Sequence, residues 1–187
     1  MVGENNVGQN PLAVLPSKKD WGIHMITEVG EYIVGSYLKQ ILKCDFVDYN
    51  VRPPGGGLKG LNELDVIGLH FKKKTAYLCE VTTHIRGLHY GTPSESIARI
   101  KKKYQNQKQY AKKYLRSFSN IHFMFWSPYV PVGVLTKGLC KLKGLELYIN
   151  GRYKECITEL MYEAADTTHD TRNPFFRMLQ IVEHMRD

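Results

Sequence analysis

The sequence predicts an α/β protein, with a central mixed β-sheet flanked by α-helices. Three observations carry that expectation. Strand-length apolar runs alternate with longer stretches of helical period, in the order α-β-β-β-α-β-α-β-α-α. The run "IHFMFWS" (121–127) is apolar almost throughout, as in a central strand covered on both faces. The stretch "TPSE" (92–95) is a strong helix start, with Thr92 as N-cap, Pro93 at the first helical position and Glu95 closing a capping box. At 187 residues the chain fits a single domain with a sizeable core. Residues 1–18, rich in Asn and Gly, read as a loose N-terminal segment; 20–127 form the core, and 128–187 a C-terminal helical extension.

In chain order, a helix is expected over Asp20–Lys43, where Ile26, Gly30, Ile33, Tyr37 and Ile41 recur at helical spacing. "DFVDYNVR" reads as a strand with Phe46, Tyr49 and Val51 inside, ended by the breaker "PPGGG". Two further strands lie within "ELDVIGLHFKKKTAYLCEVTTH" (63–84). A loop follows, then a helix over Pro93–Ser117 whose core stripe is Ile97, Ile100, Tyr104, Ala111, Leu115 and Phe118. After the apolar strand come a short helix near Val132–Leu142, the strand "LELYIN", and helices near Arg152–Ala165 and Pro174–Met185, the last opened by Asn173 and Pro174.

A formal net charge of +8 favours polyanionic partners, above all nucleic acid; a merely solubilising surface is the competing reading. Cys44, Cys79, Cys140 and Cys156 show no zinc-site spacing. Cys44 and Cys79 sit among apolar residues and read as reduced core thiols, implying an intracellular, cytoplasmic protein. "MVGENNVGQN" lacks the features of a signal peptide, and no apolar run is long enough to span a bilayer, so no membrane partner is expected.

Two acids stand out. Asp65 lies in one apolar strand run and Glu80 in the next, on either side of "FKKKT". Treating that stretch as a tight hairpin with Lys72 and Lys73 at its tip makes opposed residue numbers sum to 145, which sets Asp65 against Glu80. Opposed residues share a face, so Asp65 and Glu80 end a side otherwise occupied by Ile67, Leu69, Ala76 and Leu78. Lys-Lys is a poor two-residue turn; a symmetric lengthening keeps the pairing, whereas a one-residue slip destroys it. Two half-buried carboxylates repel unless a cation lies between them, and hard cations such as Mg²⁺ take carboxylates, water and phosphate oxygens. The alternative is a pair of solvated edge acids. On the first helix Glu31 falls at the edge of the apolar stripe, beside Val34 and Leu38, while Glu28 points away.

These residues resemble the PD-(D/E)XK nuclease superfamily, the restriction-endonuclease-like fold. The family pattern is a Glu on the first helix, an Asp on the second strand and Glu-x-Lys on the third. "GEYIVGSYL" is similar to that helix with Glu31, "NELDVIG" to the Asp strand with Asp65, and "YLCEVTT" to the Glu-x-Lys strand with Glu80. The resemblance covers about residues 20–127 and departs at the lysine, where Thr82 stands. It implies a Mg²⁺- or Mn²⁺-dependent DNA endonuclease, a phosphodiester hydrolase acting in restriction, phage defence or DNA processing. Glu31, Asp65 and Glu80 would hold the metal, together with the backbone carbonyl of Val81. The missing cation would come from Lys101, or Lys102, on the following helix; a second metal is another solution. Loss of catalysis would leave a nucleic-acid-binding module on a degenerate nuclease fold. Such nucleases commonly cut both strands as homodimers.

His84, Arg86 and His89, in the loop after Glu80, are candidate contacts to phosphates or bases, with an exposed polar loop as the alternative. Lys102 and Lys108, on the lysine-rich helix, are candidates to track a phosphate backbone. DNA is the expected partner, with RNA as a weaker reading. Tyr90 could stack on a base, and Tyr104 and Tyr110 read as packing residues. Asp166, His169 and Asp170 read as loop residues without metal spacing.

Overall fold

The computed structural model describes residues 27–53, 63–88 and 90–186. The expected loose segment 1–18, the start of the first helix and most of the "PPGGG" loop lie outside these residues. The elements are α1 (Val29–Ser36), continued by a π-helical turn (Tyr37–Ile41), β1 (Phe46–Val51), β2 (Leu64–His70), β3 (Thr75–Val81), α2 (Pro93–Tyr114), β4 (Asn120–Ser127), α3 (Val134–Cys140), β5 (Leu145–Ile149), α4 (Gly151–Asp166) and α5 (Pro174–His184). The chain is therefore α/β. Its five-stranded sheet runs β1-β2-β3-β4-β5, antiparallel from β1 to β3 and parallel from β3 to β5.

Alternation along the strands sends residues to two helical layers. Val66, Cys79, Met124 and Trp126 pack with Val34, Tyr37 and Leu38 and with Tyr153, Cys156, Leu160 and Phe176 of α4 and α5. On the other face Ile67, Ala76 and Leu78 meet Ala111 and Leu115, and Phe125 meets Ile100, Leu135 and Leu139. Strand β4 is paired on both sides and covered on both faces, which accounts for its unbroken apolar run. The free thiols Cys44, Cys79 and Cys156 are buried, and Cys140 is exposed. Among the described residues no helix is long and apolar enough to cross a membrane.

Local signals explain the element ends. The Thr92 hydroxyl accepts from the Glu95 N–H, and the Thr92 N–H donates to the Glu95 carboxylate at 2.7 Å, closing the box that opens α2. The Asn173 side chain accepts from the Phe176 N–H, and its amide donates to the Tyr32 carbonyl and the Tyr49 hydroxyl, tying α5 to α1 and β1. Several expectations shift. Helix α1 begins at Val29 with Glu28 as N-cap, α2 ends at Tyr114, and α3 spans only Val134–Cys140. Phe46 is 44% exposed: Val47 and Tyr49 point into the α1-side core, and alternation on this outermost strand turns Phe46 away. The β2–β3 connection has four residues, Phe71–Lys74, because Lys-Lys does not favour a two-residue turn; Lys74 takes φ +47° and its N–H donates to the Phe71 carbonyl.

Gly35 is fixed by close approach: a Cβ there would stand 2.1 Å from the Tyr49 hydroxyl oxygen and 2.6 Å from its ring. Gly35→Ala is expected to lower stability by about 1–3 kcal/mol through overpacking, outweighing the ~1 kcal/mol that Ala gains in helix propensity. Urea denaturation followed by circular dichroism checks the sign.

Candidate active site at the end of the β2–β3 hairpin

The β2–β3 ladder pairs Val66 with Cys79 and Ile67 with Leu78, so opposed numbers sum to 145. The lengthened turn is symmetric and keeps this register. Continued by one residue, it sets Asp65 beside Glu80 on the face that also carries Ile67, Ala76 and Leu78. Both acids are buried, Asp65 to 8% and Glu80 to 4% exposure. Asp65 is held by the Val81 N–H, which donates to its Oδ2 at 2.7 Å.

Helix α2 returns antiparallel to β3, because it links the parallel strands β3 and β4. Its first turns therefore lie over the end of β3 that carries Glu80. There the Lys103 ammonium donates to Glu80 Oε1, and it lies 3.9 Å from Asp65 Oδ1. Lys101 and Lys102 are exposed on the outer face of α2, so the cation beside the acids is Lys103 rather than either of them. Lys103 follows Ile100 by three residues and precedes Gln107 by four, positions that share the inward face. That spacing was the available sequence signal. It was masked by the runs of lysine, which read as one solvated face.

Thr82 is 6% exposed, and its N–H donates to the Trp126 carbonyl at 3.0 Å. It supplies no charge. Glu31 approaches from the α1 side. It is 9% exposed, and its Oε2 accepts from the Glu28 N–H at 3.0 Å and from the Asn50 amide at 3.1 Å. Glu28 itself is exposed. His84 and Arg86 lie exposed in the loop leaving β3, with the His84 ring edge-on to Tyr90. Lys108 sits over the Tyr104 ring on α2, and His89 lies outside the described residues. The Asp170 carboxylate caps the Arg172 N–H, and the His169 carbonyl accepts from Gln180, so this segment acts as loop structure.

Burial governs the electrostatics. It pushes Glu80 up to about 8, reinforced by the Asp65 charge and opposed by Lys103. Asp65 is raised for the same reason, with Lys103 and the Val81 N–H pulling the other way. Burial lifts Glu31 to about 7, opposed by the Glu28 N–H and reinforced by Asp65. For Lys103 burial disfavours the ammonium, but Glu80 and Asp65 outweigh it and its pKa is raised, so it stays cationic. Each carboxyl therefore has a folded pKa above its unfolded value of 4.5 for Glu31 and Glu80. The stability they contribute is complete below that value and is lost as pH rises through about 7 and 8. The melting temperature is expected to fall between pH 5 and 9 (about 4 pH units), and to fall less in Glu31→Gln. Thermal melts across that range read both.

Comparison of the chain with protein-family models, with curated proteins and with solved structures gives no match. What defines the class is thus the fold and the site: an α/β protein with two buried, opposed carboxylates at a sheet end, bridged by a lysine from the next helix.

Proposed function

We propose that this chain is a divalent-metal-dependent DNA endonuclease of the restriction-endonuclease-like kind. The observation that carries the reading is the opposition of Asp65 and Glu80, both buried, with the Lys103 ammonium against them. The element order supports it, with Glu31 on the helix before β1, Asp65 in β2, Glu80 in β3 and a basic helix next. Lys103 would stand in for the lysine that Thr82 replaces.

The residues suit a hard cation. All the donors are oxygens, and three carboxylates against one lysine leave a net charge of −2 when ionised, which a divalent ion neutralises. Among the described residues no three His, Cys, Asp or Glu side chains form a ready metal cluster, and the Glu31 carboxylate accepts from the Glu28 N–H and the Asn50 amide. Asp65, Glu80 and the Val81 carbonyl would hold Mg²⁺ or Mn²⁺, with Glu31 behind them. Such an ion supplies Lewis acidity toward the phosphate and toward a bound water. Lys103 would move from Glu80 to a phosphate oxygen and stabilise the charge that builds there. The hairpin would hold Asp65 and Glu80 at a fixed separation while water adds to phosphorus and the opposite P–O bond breaks. The basic face of α2 would track the strand, and two copies would be needed to cut a duplex on both strands.

A specific observation also favours a second reading. Lys103 already neutralises Glu80, so an inactive binding module on the same fold is consistent with the ion pair. Supercoiled plasmid incubated with Mg²⁺ or Mn²⁺ separates the two. Nicked circle that requires the metal supports the nuclease. DNA binding without cleavage under any of these ions supports the module. Competition by RNA in the same assay tests the RNA reading.

A further inference from the structure

The parallel strands β3 and β4 end at the same edge of the sheet, where Glu80 lies. Two loops leave that edge, 82–92 and 128–133. They are built against each other. Leu88, Val130 and Leu135 are buried in one cluster, and a Cβ on Gly87 would stand 3.7 Å from the Pro131 ring. The second loop is fixed in place: the Val130 N–H donates to the Asn150 side chain at 2.8 Å, and that side chain donates back to the Val130 carbonyl at 2.9 Å. From this supported base project four apolar tips: Ile85 at 79% exposure, Tyr129 at 47% and Val132 at 91% from the loops, and Val134 at 71% from the first residue of α3. Arg86, next to Ile85 in the first loop, is exposed, and the Arg99 guanidinium of α2 lies 4.3 Å over the Tyr90 ring of that loop.

We infer that these tips form a wedge for unpaired or unstacked bases, so that the substrate is single-stranded or forked DNA rather than uninterrupted duplex. The inference rests on the nuclease reading and deepens it. Four tips are far fewer than the roughly 20–30 residues a side of a stable protein interface. Aliphatic side chains that insert between base steps are few, projecting and flanked by cations, as these are. Arg86 and Arg99 would take the phosphates on either side, and Tyr129 would offer a ring to a displaced base.

Fluorescence anisotropy tests this on the chain with Asp65 intact, with Ca²⁺ in place of Mg²⁺ or Mn²⁺ so that nothing is cut. The probes are a short single strand, a fork and a blunt duplex of the same sequence. Forked and single-stranded probes are expected to bind about tenfold more tightly than the duplex. In the Ile85→Ser, Val132→Ser variant that preference should shrink to about twofold, with duplex affinity unchanged. The tips are exposed, so an unaltered melting temperature confirms that the variant is folded. Equal binding of fork and duplex, or a preference that survives the two serines, overturns the wedge and leaves the nuclease reading standing. Binding to none of the probes overturns both. If the serines alter only self-association in sedimentation, the tips belong to an interface between copies and the wedge is wrong.

Discussion

Lys103→Met is expected to reduce metal-dependent cleavage about 10²–10³-fold, the usual cost of removing one preorganised charge from a transition state. Met keeps the apolar stem and removes only the ammonium that bonds Glu80 and lies 3.9 Å from Asp65. Metal affinity should not fall, because the variant also removes a cation that competes for the same carboxylates. The decisive companion is a second change, Thr82→Lys. Position 82 lies two residues beyond Glu80 and shares its face, so a lysine there can reach the phosphate from the strand instead of the helix. The double variant is expected to recover about tenfold of the lost rate. A purely structural Lys103 would give no such rescue. Stability is a separate readout: without Lys103 the buried Glu80 loses its counter-charge, so the variant should melt lower at pH 9 than at pH 6 relative to the parent. Undiminished cleavage by Lys103→Met would reduce this lysine to a packing ion pair.

Asp65→Asn should cost about 10³-fold in cleavage, since it removes one of two carboxylates proposed to hold the metal, a contribution of several kcal/mol. It should also make the protein more stable at neutral pH. Asn retains an oxygen for the Val81 N–H, while the repulsion of Glu80 and Glu31 by the Asp65 charge disappears. Lost activity with a raised melting temperature is the signature of a site kept electrostatically unfavourable for function. Parallel single-turnover kinetics and thermal melts measure the two. A destabilised variant would mean that the attraction between Asp65 and Lys103 outweighs that repulsion.

Much of this was legible in the sequence because the signals were local. The Thr92, Glu95 and Asn173 caps are spacing rules, and placing Lys72 and Lys73 at the hairpin tip set a register that any symmetric lengthening of the turn keeps. The four-residue connection changed nothing at Glu80 because it took one residue from each strand alike. What escaped was long-range or ambiguous. Lys103, Lys102 and Lys101 are identical in type, and only the rotation of α2 against the sheet selects the first. The exposed Val132 and Val134 gave no signal, since the expected short helix near Val132–Leu142 took in both, whereas α3 begins only at Val134. Glu31 was placed on the correct side of its helix, but its hydrogen bonds to Asn50 and Glu28 depend on how α1 docks against β1.

Asp65 and Glu80 are proposed to share a divalent cation, and a crystal grown or soaked with Mn²⁺ above pH 8 would reveal it. Ionisation of Glu80, held near 8 by burial and Asp65, sets that pH. Anomalous density coordinated by both carboxylates, with Lys103 withdrawn from Glu80, is the expected result. A structure in which Lys103 still bonds Glu80 and no manganese lies against either acid would contradict it.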